Sequence, residues 1–241
     1  MISPHVPGRM RGPLAALAAA GAGAAYVLAV RPRLLLWGAT TQEAAGPLPG
    51  DETVPAPRMQ STRAVTIAAP VSDVWPWLVQ LGAGRGGMYS YDWLENAAGL
   101  DIHSADRIRP ELQHLKVGDT VPLSPDGGLS VRLLQSEAVL GLAGTIDLRT
   151  GTMVPAGVPP SGPRVDVGWT FVLRPVGSRA SRLVSRTRYD YSPLAAGLVL
   201  RPLLEPVQFL MERRMLLGIR ARAEGRKAFK PERSRPERSD V

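Results

Sequence analysis

Thr62–Asn96 reads TRAVTIAAPVSDVWPWLVQLGAGRGGMYSYDWLEN, and this stretch decides the fold. The run Arg63–Ala68 alternates and is rich in β-branched residues, which predicts a strand that Pro70 ends. Apolar residues then recur at helical spacing across Val71–Val79, which predicts a helix. A glycine-rich connection follows and leads to a second short helix, predicted over Tyr91–Asn96.

The chain beyond Asp101 is predicted to form several strands in succession. The Gly-Asp and Pro-Asp-Gly-Gly sequences between them are typical of tight turns. A long helix from Ala195 to about Lys227 follows, which Pro202 and Pro206 are expected to break or kink. This order is typical of an α+β domain whose cavity lies between the sheet and the last helix. The predicted strands span Val117–Leu123, Leu129–Leu134, Val139–Leu148, Asp166–Leu173 and Arg182–Tyr191.

The last of these strands has two different faces. Hydroxyl-bearing residues alternate with arginines, so hydroxyl groups share one face and guanidinium groups the other. The hydroxyl face suits the wall of a pocket, although a half-polar sheet face beside water has the same composition. The charged face is expected to be solvated. The first face comprises Leu183, Ser185, Thr187, Tyr189 and Tyr191, and the second includes Arg182, Arg186 and Arg188.

The composition excludes several classes of protein. The 241 residues include no cysteine, which rules out disulfides, cysteine-ligated zinc, iron–sulfur clusters and thiol catalysis. The three histidines fall in no metal-binding spacing, so no metal is expected. The net charge is +8, but Glu212–Val241 holds ten Arg or Lys against five Asp or Glu. Because the excess is concentrated there, a nucleic-acid partner is not expected.

The N-terminal part contains a candidate membrane segment. Gly12–Val30 has nineteen residues without a charge and is flanked by Arg9 and Arg11 on one side and by Arg31 and Arg33 on the other. A helix of this length spans about 28 Å, close to the thickness of the hydrocarbon core. We expect a single-pass anchor in the cell membrane, with the side of the domain left open. A signal peptide cleaved at an Ala-x-Ala triplet and a soluble helix are the alternatives.

The quoted stretch resembles the start of a START-like, or SRPBCC-type, domain. Ala69–Leu78 (APVSDVWPWL) carries most of the resemblance. Together with GRGGMYSYDWLEN and the later MERRMLLGIRARAE, it is similar to a membrane-tethered actinobacterial subgroup described as polyketide cyclase-like. The resemblance covers about Thr62–Glu224 and implies the helix-grip fold, a curved antiparallel sheet around a long C-terminal helix. No catalytic set of the cyclases maps onto this chain, so the resemblance implies no catalytic residues.

This resemblance completes the expected division of the chain. Attraction of Arg213–Lys230 to anionic lipid headgroups is a further expectation, with a solvated helix face as the alternative. The expected segments are a basic tail (1–11), a transmembrane helix (12–30), a Pro/Gly-rich extended tether (31–61), the START-like domain (62–228) and a disordered charged tail (229–241).

Asp92 and Glu95 lie three residues apart on the second short helix and could share one face. Paired carboxylates do acid–base work when burial separates their pKa values. The alternative is a structural role, in which the pair is solvated or one member bonds an arginine such as Arg85 or Arg107. Together with His103 they are the catalytic candidates. Gly82–Gly87 matches GxGxxG but lacks the preceding strand of a dinucleotide site, so no cofactor is expected.

These features predict a membrane-anchored domain that binds a hydrophobic small molecule or lipid between the sheet and the C-terminal helix. One alternative is an enzyme of the polyketide cyclase or aromatase type. Another is a membrane-bound interaction module whose own side chains fill the cavity. The candidate ligand-binding residues are Trp75, Tyr89, Trp93, Trp169, Phe171, Thr187, Tyr189, Tyr191, Met211 and Met215.

Overall fold

The computed structural model describes residues 21, 23, 26–97, 99–125, 127–154, 158 and 161–226. The two tails predicted over 1–11 and 229–241 lie outside these residues, as does most of the membrane segment predicted over Gly12–Val30. Within the described part of the chain, no helix is both long enough and apolar enough to cross a membrane.

Six strands form one antiparallel sheet. Their order across the sheet is first, sixth, fifth, fourth, third, second, so the first strand of the sequence pairs with the last. All of the strands expected from alternation are present, which confirms that part of the prediction. The strands are β1 Met59–Ile67, β2 Thr120–Ser124, β3 Gly127–Gln135, β4 Val139–Asp147, β5 Arg164–Val176 and β6 Ala180–Ser192.

Over residues 26–226, apart from the few gaps in the description, five α-helices accompany the sheet. They are α1 Arg31–Leu35, α2 Thr41–Ala45, α3 Val71–Val79, α4 Asp92–Ala97 and α5 Leu194–Ala223. A π-helical turn at Tyr26–Val30 precedes α1, and short 3-10 turns lie at Asp51–Thr53 and Pro110–Leu112. The long α5 packs against α3, β1 and β6. A six-stranded antiparallel sheet with a long C-terminal helix packed on it is the expected helix-grip architecture.

The last helix continues through Pro202 and Pro206, so the break expected from these prolines is not found. A proline inside a helix removes a backbone hydrogen bond and costs about 3 kcal/mol or more. Packing on the buried side of α5 offsets this cost. Leu216 and Ile219 are fully buried in the core, and the buried Glu205 carboxylate accepts hydrogen bonds from an arginine of α1.

The inner face of the sheet carries the predicted hydroxyl and aromatic residues. In the pairing of β5 with β6, Val167 lies opposite Tyr189 and Trp169 lies opposite Thr187. Because side chains alternate along a strand, these residues share one face. The main apolar core joins this face to α3 and α5.

The outer face of the sheet is covered by the segment before β1, so the expectation that its arginines are solvated is wrong. Arg186 is 2% exposed and donates hydrogen bonds to Asp51 at 2.7 Å and to the Glu43 carbonyl oxygen at 2.6 Å. Arg182 pairs with Glu43 at 2.7 Å, and Arg188 pairs with Asp51 at 3.2 Å. Guanidinium groups removed from water need such acceptors, and the covering segment supplies them.

Residues 31–61, expected as an extended tether, are folded onto the domain: α1 packs against β1 and α5, and the part from α2 to Asp51 covers the outer face. Helix α2 begins with a capping box, in which the side chains of Thr40 and Glu43 each bond the backbone N–H of the other residue. Proline and glycine here form tight turns instead of a free linker, and the folded unit begins before Thr62. A second apolar cluster joins the segment to the sheet and comprises Leu48, Ala64, Val172 and Val184.

Candidate functional site

A cavity of about 260 Å³ lies between the inner face of the sheet and α5, with α4 and its flanking loops forming another wall. Most of its lining is apolar. The apolar residues are Met88, Leu100, Ile102, Leu123, Leu129, Val167, Trp169, Met211 and Met215. The polar residues are Ser90, Glu95, Thr187, Tyr189, Gln208 and Glu212.

The GxGxxG segment forms a tight structural loop beside this cavity. Gly82 and Gly87 exchange two backbone hydrogen bonds, at 3.1 and 2.9 Å. Gly87 has φ of 76°, and a Cβ atom there would lie only 2.7 Å from the carbonyl oxygen of His103. Glycine is therefore required at this position by both backbone conformation and space. The loop leads directly into Met88 and Ser90, which line the cavity.

Glu95 is a buried carboxylate on the wall formed by α4. It is 5% exposed, and its Oε1 atom accepts a hydrogen bond from the Ser90 hydroxyl. Its Oε2 atom is buried and has no hydrogen-bond partner among the described residues. Burial raises the pKa of Glu95, the hydrogen bond from Ser90 opposes this shift, and the nearby charge of Asp92 adds to it. The environment therefore disfavours the isolated charged form.

The other two catalytic candidates do not line the cavity. Asp92 accepts hydrogen bonds from the Ser104 backbone N–H at 2.8 Å and from the Ser104 hydroxyl at 2.6 Å. It therefore fixes the loop that follows α4. The His103 side chain is 76% exposed, and its Nε2 atom lies 3.1 Å from Asp101. Of the three candidates, only Glu95 has the position expected of an acid–base group.

On the α5 side of the cavity, Glu212 forms a buried ion pair with Arg63 of β1. Arg63 also donates hydrogen bonds to the Leu34 carbonyl oxygen at 2.9 Å and to Ser61 Oγ at 3.2 Å. The Oε1 atom of Glu212 is buried without a partner among the described residues. Sequence analysis missed this pair, although Arg63 lies opposite the inward-facing Ser185 in the pairing of β1 with β6.

The sheet wall and α5 add further polar groups. The Thr187 hydroxyl and the Gln208 Oε1 atom are buried without hydrogen-bond partners among the described residues. The Tyr189 ring stacks on Tyr191, with 6.2 Å between centroids and 11° between planes. Burial raises the pKa of Tyr189, with smaller contributions from charged neighbours, so its hydroxyl stays protonated at neutral pH. Trp169 donates its indole N–H to a serine of β6 at 2.9 Å.

Half of the predicted ligand-binding side chains lie on the cavity wall. Trp93 is 63% exposed on α4 and contacts Tyr91 edge-on at 6.5 Å, so it does not line the cavity. Trp75 packs half-buried against the core. The predicted residues that do line it are Trp169, Thr187, Tyr189, Met211 and Met215.

Three other predicted residues are buried away from the cavity. Tyr89 donates its hydroxyl to the Trp77 carbonyl oxygen at 3.1 Å, and burial raises its pKa to about 12. Phe171 is fully buried in the core. Tyr191 lies behind Tyr189, and its hydroxyl contacts the sulfur of Met59 at 3.3 Å. These three residues are predicted to bind a ligand because they are aromatic, but their rings contribute to packing of the protein interior.

Some of the cavity-lining residues that are absent from the predicted set nevertheless follow a regular sequence pattern. Gln208 and Glu212 lie on the same helical face as Met211 and Met215, because their spacing follows i, i+3, i+4 and i+7. Val167 lies on the same strand face as Trp169, two residues earlier. The lining residues in loops, Leu100 among them, follow no periodic pattern that could have identified them.

No protein-family model and no curated protein matches the chain. Among solved structures, norcoclaurine synthase from Thalictrum flavum is 15% identical with a TM-score of 0.40, over 68% of this chain and 91% of that one. Protein Ms6760 from Mycobacterium smegmatis is 12% identical with a TM-score of 0.39, over 67% and 88%. DynU16, from the dynemicin biosynthetic locus, is 18% identical with a TM-score of 0.36, over 71% and 50%. Similarity this low carries no argument, and the helix-grip architecture rests on the strand order and helix packing described above.

Proposed function

We propose that this protein binds a small, mainly apolar molecule in the cavity between the sheet and α5. The observation that carries the proposal is a cavity with mostly apolar walls and a few buried polar atoms that have no hydrogen-bond partner within the described part of the chain. Pockets for drug-sized ligands measure roughly 300–1,000 Å³. A cavity of about 260 Å³ therefore suits a ligand with one or two rings, or a short acyl chain, better than a two-chain lipid.

A cavity-filling substitution tests this proposal. Val167→Phe places a larger side chain at the cavity wall and is expected to weaken binding of an apolar fluorescent probe by about tenfold or more. Val176→Phe is the matched control, because it makes the same change at an exposed position of the same strand. Fluorescence titration of the full-length protein measures both. The proposal fails if wild type binds no probe, or if both variants bind it as wild type does.

A second candidate function is an enzyme of the cyclase or aromatase type. Glu95 favours it, because this carboxyl is buried, lines the cavity, has one unpartnered oxygen and has a raised pKa. A buried carboxyl with a raised pKa suits proton transfer to or from a bound molecule. Glu95→Gln should then retain ligand binding and lose turnover of a polyketide-like substrate. Turnover that survives this substitution would exclude Glu95 as the acid or base.

We further propose that Gly12–Val30 attaches the protein to the cell membrane. The support is the uncharged length of the segment and the exposure of apolar Val27 and Leu28 at its described end. The full-length chain is expected to remain with membranes after alkaline carbonate extraction, whereas a chain that begins at Tyr26 is released. Release of both chains, or cleavage of the full-length chain within this segment, would contradict the proposal.

Binding of anionic headgroups by Arg213–Lys230 has less support than the N-terminal attachment. Arg213 lies over the Trp37 ring at 5.1 Å, and Arg222 donates a hydrogen bond to the Ala105 carbonyl oxygen at 2.8 Å. These guanidinium groups already interact with other residues of the protein. The end of the segment lies outside the described residues.

A further inference from the structure

The unpartnered polar atoms of the cavity are mainly hydrogen-bond acceptors. Glu95 Oε2, Glu212 Oε1 and Gln208 Oε1 are buried without partners among the described residues, and all three residues line the cavity. Thr187 Oγ1, also unpartnered, can accept or donate. A buried acceptor that makes no hydrogen bond is unfavourable. The set therefore favours a bound molecule that donates several hydrogen bonds.

The distribution of charge around the cavity points the same way. Arg63 balances the charge of Glu212 through direct contact. Glu95 forms no ion pair with any described residue, and Ser90 bonds only its Oε1 atom. The charged neighbour that acts on Glu95 is Asp92, which is itself acidic. Among the described residues, the carboxyl group on the α4 wall of the cavity thus has no balancing cation.

We propose that the ligand is a small amine with an aromatic or apolar body, whose ammonium group pairs with Glu95. An ammonium group brings several N–H donors and no acceptor, which matches the unpartnered oxygens of the cavity. The body of the ligand would lie against the apolar walls. The rings of Trp169 and Tyr189 also line the cavity, and aromatic faces attract cations. This inference rests on the proposed function, since it names the class of molecule that the cavity takes.

Three compounds of similar size but different charge test whether the cavity prefers a cation, a neutral molecule or an anion. Isothermal titration of the full-length protein at neutral pH compares 2-phenylethylamine, 2-phenylethanol and phenylacetate. The amine is expected to bind about tenfold or more tightly than the alcohol, and phenylacetate most weakly, because an ion pair with a buried carboxylate is available only to the amine. Equal or tighter binding of the alcohol, as expected if a protonated Glu95 donates to a neutral ligand, overturns the proposal. So does tighter binding of phenylacetate.

A matched pair of variants tests the role assigned to Glu95. Glu95→Gln keeps the shape of the side chain but removes its negative charge, so binding of the amine should weaken about tenfold while binding of the alcohol changes little. Glu111→Gln makes the same change at an exposed position and should leave both unchanged. An amine preference that survives Glu95→Gln overturns the proposal. If that variant does not fold, the comparison of the three probes on the unchanged chain decides.

An apolar fluorescent probe distinguishes failure of this inference from failure of the proposed function. If the probe binds and the amine has no advantage, the cavity is a binding site but the ligand class is wrong. If neither the probe nor any of the three compounds binds, both the inference and the proposed function are wrong.

Discussion

Arg63 and Glu212 place opposite charges in the buried interior, where their side chains are 0% and 4% exposed. Loss of one charge leaves the other buried and unpaired, so Glu212→Gln is expected to lower the free energy of unfolding by about 3–5 kcal/mol. The double variant Arg63→Met, Glu212→Met replaces the pair by apolar groups and should recover most of this loss. Denaturant unfolding measures both variants. A double variant less stable than Glu212→Gln would show that the two residues do not act as a pair.

The burial of Glu95 determines the direction in which the stability of the protein changes with pH. Its pKa in the folded protein is raised above its ordinary value of 4.5, so the folded state holds the proton more tightly than the unfolded state. This contribution to stability is present below the unfolded pKa and is lost as pH rises through the folded pKa. Wild type should therefore lose melting temperature relative to Glu95→Gln over the pH window that begins at the ordinary value of 4.5 and extends upward through the folded pKa.

Melting curves of the two proteins at several pH values measure this difference. Glu43 does not interfere, because the hydrogen bond from Arg182 lowers the pKa of Glu43 to about 2, below this window. A difference that stays constant across the window, or changes in the opposite direction, would contradict the assigned burial of Glu95.

At the scale of elements, α2 and the turn after it are tied to the outer face of the sheet by Arg186. This side chain donates hydrogen bonds to the Gly46 carbonyl oxygen at 3.0 Å and to Asp51 at 2.7 Å, besides the Glu43 carbonyl oxygen. Arg186→Ala is expected to lower the free energy of unfolding by about 3 kcal/mol. Arg174→Ala, at an exposed position of the neighbouring strand, should change it by about 0.5 kcal/mol or less. Similar effects of the two substitutions in denaturant unfolding would mean that the covering segment contributes little.

The sequence predicts individual elements better than it predicts contacts between distant elements. Strand β6 and helix α3 follow from alternation and helical spacing, which are local patterns. The contact of Arg182 with Glu43 joins residues 139 positions apart, and that of Arg63 with Glu212 joins residues 149 apart. No local pattern reports such pairs, so the covered outer face and the buried ion pair could not be predicted.

The expectation of an extended tether over residues 31–61 is wrong for a related reason. Proline and glycine are frequent both in free linkers and in tight turns, and their composition alone does not distinguish the two. A Pro/Gly-rich segment folds into tight turns when another surface of the protein offers it hydrogen-bond donors, hydrogen-bond acceptors or apolar contacts. In this protein the arginine face of β6 provides the donors, and the cluster around Leu48 provides the apolar contacts.

For the molecule as a whole, the cavity is closed by residues from distant parts of the sequence. Its walls include Met88 from the glycine-rich loop, Leu129 from β3, Tyr189 from β6 and Met215 from α5. Because the strands and α5 carry regular patterns, five of the cavity-lining residues could be named from sequence. The loops add polar and apolar groups whose placement depends on the complete fold.

Native mass spectrometry of the full-length protein, purified in a mild detergent, tests the central claim most directly. We expect a bound small molecule on wild type and on Val176→Phe, and no such molecule on Val167→Phe, because only the last variant fills the cavity. Wild-type protein that carries no small molecule, or a molecule retained equally by all three proteins, would contradict the claim that this cavity is the binding site.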